Sequence, residues 1–85
     1  MNIFRSKLRP LSDLFAELDG YLLQDGREAI ARIRGRNGDL GAAKKAIPML
    51  GAIITLMRQN GNKKRAAEIR DVRRQFERHA SGEEA

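Results

Sequence analysis

The chain has no cysteine and no tryptophan, and in 85 residues it has one histidine, one tyrosine and two prolines. Without cysteine there are no disulfides, no thiolate nucleophile and no cysteine-ligated zinc. That usage fits a reducing interior, so a cytoplasmic protein is expected. Aromatic residues make up only 5%, so the core has to be aliphatic and alanine-rich, which favours helices over sheet. No stretch alternates apolar and polar residues with the period of two that a half-buried strand requires. The longest apolar run, Ala46 to Met57, contains Pro48 and falls short of the ~20 residues that cross a bilayer. The first ten residues lack the apolar segment of a secretory signal. No membrane partner is expected.

Catalytic chemistry is equally thin. His79 stands alone near the end of a basic segment, and serine occurs only at Ser6, Ser12 and Ser81. No G-x-x-x-x-G-K-[ST] phosphate loop is present. Asp13 and Glu17 share a helical face at a spacing of four but have no histidine to complete a metal site. The expectation is therefore no enzyme, no cofactor and no metal.

What the chain does have is 41% hydrophobic residues and a net charge of +6. A single domain over residues 11–80 is expected, with a basic arm at 1–10 and a flexible tail at 81–85. A core this small is often completed by self-association, so the expected fold class is all-α: a small bundle of three to four helices, with a central helix kinked at Pro48, assembled as a homodimer.

Four segments carry helical periodicity. In residues 11–23, Leu11, Leu14, Phe15, Leu18 and Leu22 form one stripe at a 3.6-residue period, with Ser12 as a candidate N-cap. A short helix follows from Asp25, with Ile30 and Ile33 as its apolar edge. The stretch RGRNGDLG, residues 34–41, has three glycines and reads as a loop. From Leu40 to Gln59 apolar residues cover about half the helical cylinder, as in a helix with several neighbours. Met49, Leu50, Ile53, Leu56 and Met57 are the candidate interface there. Asn60-Gly61 ends it, Asn62 caps the next helix, and Ile69, Val72 and Phe76 form a narrow seam over residues 63–79.

Charge is unevenly placed. Residues 11–28 hold five carboxylates against Arg27, whereas residues 29–65 hold nine Lys or Arg against Asp39. On the last helix Lys63, Arg70, Arg74 and Arg78 project within about 60° of one another, away from the apolar seam. Arg70/Arg74 and Arg74/Arg78 are like-charge pairs four apart, each costing an isolated helix about 0.2–0.5 kcal/mol. Lys63, Lys64 and Arg65 crowd the first turn, where the dipole disfavours cations by about 0.3–1 kcal/mol each. Either the acidic first helix neutralises this surface within the fold, or the surface meets a polyanion. The same first turn, with free N–H groups and three cations, suits a phosphate. Arg34 and Arg36 add two guanidinium groups on the expected loop, and Arg5, Lys7 and Arg9 add a third cluster.

The candidate nucleic-acid-binding residues are thus Lys63, Lys64, Arg65, Arg70, Arg74, Arg78, Arg34 and Arg36. With only Gln75 as an amide on the last helix, DNA or RNA contact should be to phosphates and weakly sequence-specific, in a regulatory role. The alternative is a helical protein–protein interaction module, an adaptor, inhibitor or regulator of a larger partner, acting as a homodimer.

Overall fold

A computed structural model describes residues 7–83. Among them the chain is entirely helical: α1 Leu11–Tyr21, α2 Gln24–Gln59 and α3 Lys63–Ala80, packed into a flat body of 37 × 31 × 18 Å.

α2 is two helices in sequence. Its backbone leaves helical geometry only at Gly38, with φ 73° and ψ 178°, a region open to glycine and to almost nothing else. The eight-residue loop expected at 34–41 is therefore a one-residue elbow, with helix continuing to its edges on both sides. Local bonding explains the economy. The Asn37 side chain donates to the Ile33 carbonyl at 2.9 Å, one turn back on the arm before the elbow. Arg34 Nε donates to Asp39 across the break at 3.0 Å. A Cβ on Gly41 would come within 2.8 Å of Asn37 Cβ, so glycine is also needed just past the elbow. Pro48 lies within the second arm, and the non-helical dihedrals are confined to Gly38.

Helix ends follow their residues. Asn62 Oδ1 accepts the Arg65 N–H at 3.2 Å, the cap expected there. Ser12, by contrast, lies inside α1, whose N-cap is Pro10. Gly61 and Gly82 have φ of 81° and 92°. Each closes a Schellman motif, through Asn62 N–H to Met57 O and Glu83 N–H to Arg78 O. Residues 81–83, expected to belong to a loose tail, thus form the cap of α3.

The core joins all helices: Leu14, Phe15 and Leu18 of α1, Ile30, Ala43, Ala46 and Leu50 of α2, and Ile69, Val72 and Phe76 of α3. Phe15 and Phe76 meet at 5.0 Å between ring centroids, a pairing that adds about 0.5–1.5 kcal/mol beyond burial. Alanines at 42, 43 and 46 are fully buried and let α2 lie close to its neighbours. α2 includes a window long and apolar enough to cross a membrane by length and composition. Ala43, Ala46 and Leu50 within α2 are fully buried against the chain's own core.

Candidate nucleic-acid interface

α3 buries the Ile69/Val72/Phe76 seam and turns the opposite side to water, so the fate of each cation follows from its angle around the helix. Arg73 reaches across to α2 and donates from Nε to the Ile47 carbonyl at 2.9 Å. Arg65 lies over the Tyr21 ring at 5.1 Å and donates to the Tyr21 carbonyl at 3.4 Å, with Glu68 at 3.8 Å. Arg78 is held by Glu83 at 2.8 Å, because the Schellman turn brings that carboxylate back over the last turn. Arg65 and Arg78 therefore leave the candidate set: the fold uses their charge internally. Arg34 leaves it too, since its guanidinium sits 4.3 Å over the Phe15 ring and pairs with Asp39.

Lys63, Lys64, Arg70 and Arg74 are exposed and have no ion pair with any carboxylate among the described residues. The acidic first helix does not cover them. Its Glu17 instead holds Arg9, which Asp71 also contacts at 3.1 Å, and accepts the Tyr21 hydroxyl at 2.7 Å. Partial burial pushes the Glu17 pKa up, but the bonds from Tyr21 and Arg9 outweigh it and hold the carboxyl below its usual value. The Tyr21 hydroxyl is pushed up by the same bond. Of the N-terminal basic cluster, Arg9 is thus held within the fold and Arg5 lies outside the described residues.

The free cations border a groove. Ile54, Ala66 and Ala67 make its floor, and Arg58, Lys63 and Arg70 surround it, enclosing about 160 Å³. Small side chains at 66 and 67 provide the depression, and no carboxylate lines it. Arg58, in the last turn of α2, was not visible as a site residue in the sequence; only the α2–α3 turn brings it beside Lys63 and Arg70.

The chain matches no protein-family model, no curated protein and no solved structure.

Arg36 belongs to a second groove, at the elbow. There Ala29, Arg32, Ile33, Arg36, Asn37 and Lys45 enclose about 420 Å³ between the two arms of α2. Arg32, Arg36 and Lys45 are all exposed, and again no carboxylate lines the space.

Of the candidate interface residues, Leu50 is fully buried in the chain's own core and drops out for that reason. Met49, Ile53 and Met57 are half-buried against that core. Leu56 is 58% exposed, and Leu23, overlooked in the sequence, is 84% exposed. Both line an apolar groove of about 280 Å³ with Leu22, Ile53 and Met57.

Gln75 and His79 tie α3 to the segment before α1. Gln75 is buried and bonds the backbone of residues 7–9: its Oε1 accepts the Arg9 N–H at 2.8 Å and its Nε2 donates to the Lys7 carbonyl at 3.0 Å. His79 Nε2 meets the Arg9 carbonyl at 2.7 Å. No local pattern signals these roles, because both partners lie more than sixty residues away.

Proposed function

We propose that the protein is a small helical nucleic-acid-binding protein, not an enzyme, that engages phosphates with weak sequence preference. One observation carries this reading: Arg58, Lys63 and Arg70 surround an alanine-floored depression with no carboxylate to neutralise them. Three cations held together around one depression repel one another, and an anion seated among them relieves that repulsion. Arg74 and Lys64 extend the same surface. Weak specificity follows from the absence of a free amide on α3, since Gln75 is buried against residues 7–9. Titration of the protein with labelled duplex DNA and with RNA at two salt concentrations tests the reading. Binding that weakens steeply as salt rises is expected; no binding at low salt, or binding indifferent to salt, rejects it.

A second reading has its own support. Leu23 and Leu56 are large apolar side chains facing water beside an apolar groove, an arrangement that favours protein–protein contact. A second copy of this chain is the occupant suggested by so small a core. Sedimentation over a range of concentrations checks it: a mass that doubles with concentration, and returns to the monomer in Leu23→Asn/Leu56→Asn, is the expected result. A monomer at all concentrations rejects it.

A further inference from the structure

Both arms of α2 bring cations to one space at the elbow. Arg32 and Arg36 stand four residues apart on the first arm and Lys45 stands on the second, and all three line the groove of about 420 Å³. Each is exposed, and none forms an ion pair with a carboxylate among the described residues. Asp39 is the only carboxylate between Glu28 and Glu68 in the sequence, and Arg34 holds it. Arg34 itself lies over the Phe15 ring, and neither member of that pair lines the groove. The end of the first arm favours a cation at Arg36, but that effect does not extend to Lys45, which belongs to the other arm. Arg32 and Arg36, a like-charge pair four apart, disfavour the helix that carries them.

We infer that the elbow groove binds linked phosphate groups, which bridge Arg32 and Arg36 of one arm to Lys45 of the other and so hold the bend at Gly38. The inference goes beyond the nucleic-acid reading, which is carried by the α2–α3 groove, and does not depend on it. Three cations around one space call for several negative charges close together. Linked phosphates supply them, whereas a peptide brings one carboxylate per acidic side chain. The guanidinium fork also matches phosphate oxygens with paired N–H donors. Size agrees with this assignment. Small-ligand clefts enclose about 300–1,000 Å³; the elbow groove lies within that range, and the α2–α3 groove, at about 160 Å³, lies below it. A seated anion offsets the repulsion among the three cations. Because they come from both arms, and the backbone between them leaves helical geometry only at Gly38, the anion favours the bent form over any in which the arms swing apart. A free polyphosphate and a nucleic-acid strand present the same phosphate chemistry to the groove, and the experiment separates the two sources.

The experiment titrates the full chain with inorganic tripolyphosphate and, separately, with an oligonucleotide lacking terminal phosphates, at matched ionic strength. Amide hydrogen exchange is followed with and without each. Wild type is compared with Arg36→Gln, Lys45→Gln and Arg58→Gln/Arg70→Gln, and Arg36→Lys retains the charge as a control. Tripolyphosphate is expected to bind wild type and to slow exchange at the amides flanking Gly38. Arg36→Gln and Lys45→Gln should each weaken it about tenfold, as the loss of a hydrogen bond between charged groups does. Arg36→Lys and Arg58→Gln/Arg70→Gln should bind it as wild type does. Unchanged helical circular dichroism confirms that these exposed positions leave the fold intact. If only the oligonucleotide binds, and both elbow variants weaken it, the source is a nucleic-acid strand and the site stands. If Lys45→Gln binds as tightly as wild type, or exchange beside Gly38 is unaffected, the bridge between the arms is overturned. If tripolyphosphate does not bind and only Arg58→Gln/Arg70→Gln loses the oligonucleotide, the elbow inference falls and the nucleic-acid reading stands. Tripolyphosphate bound at the elbow with no nucleic acid bound anywhere gives the reverse.

Discussion

Gln75 accepts the backbone N–H of Arg9 at 2.8 Å from within the core, where the glutamine is 2% exposed. With its amide donating to Lys7 O, it holds the non-helical segment before α1 by two backbone groups. Pro10 keeps Arg9 out of the helix, since the residue before a proline is disfavoured in helical geometry. Gln75→Leu should therefore destabilise the protein by about 2 kcal/mol, because two backbone groups lose their partner. Denaturant melts measure the loss, and faster hydrogen exchange at the Arg9 amide localises it.

Glu17 supplies a pH dependence. Its folded-state pKa is depressed by the bonds from Tyr21 and Arg9, so the unfolded chain binds its proton more readily. The stabilisation is fully present above the unfolded carboxylate pKa and is lost as pH falls through the lower folded value. Glu17→Gln should cost about 1 kcal/mol at pH 7. The difference from wild type should shrink on acidification into the carboxylate range, as followed by urea melts at a series of pH values.

Two glycines of α2 should respond oppositely to alanine. At Gly51 a new Cβ meets only the Arg73 guanidinium, at 3.6 Å, an ordinary contact. Gly51→Ala should raise stability by about 0.5–1 kcal/mol through helix propensity. At Gly41 the Cβ meets Asn37 Cβ at 2.8 Å, and Gly41→Ala should lower stability by about 1–2 kcal/mol through the forced shift. Thermal melts of the pair decide the matter, and the same sign for both would contradict the packing at the elbow.

Gly38 sets the shape of the molecule. Its φ of 73° and ψ of 178° are strained for alanine by about 1–3 kcal/mol, and relief lies in straightening the elbow. A continuous α2 of 36 residues would be about 54 Å long. Gly38→Ala should be less stable and give a radius of gyration above the 12.7 Å of the folded chain, measurable by small-angle scattering.

Arg34 and Arg36 should separate stability from binding. Arg34 stacks on Phe15 and pairs with Asp39, so Arg34→Gln should cost about 1–2 kcal/mol and leave the salt dependence of the proposed nucleic-acid binding unchanged. Arg36 lines the elbow groove, so Arg36→Gln should leave the melting temperature unchanged and weaken binding. A melt and a titration on each variant distinguish the two.

The helical class, the Ile69/Val72/Phe76 seam, the Asn62 cap and the orientation of Lys63, Arg70 and Arg74 were legible in the sequence. Each depends on residues within a few turns of one another, where a 3.6-residue period and local caps dominate. Which cations remain free was decided by tertiary structure. Arg65, Arg73 and Arg78 belong to the same basic helix as Arg70, and only their angles towards Tyr21, Ile47 and Glu83 remove them. Arg58 joined the site because the α2–α3 turn folds it beside Lys63 and Arg70. Helical periodicity determines which way a side chain points, but a partner distant in the sequence is set by the path of the whole chain. That path turns at Gly38 through the torsions of a single residue, which RGRNGDLG permits without announcing.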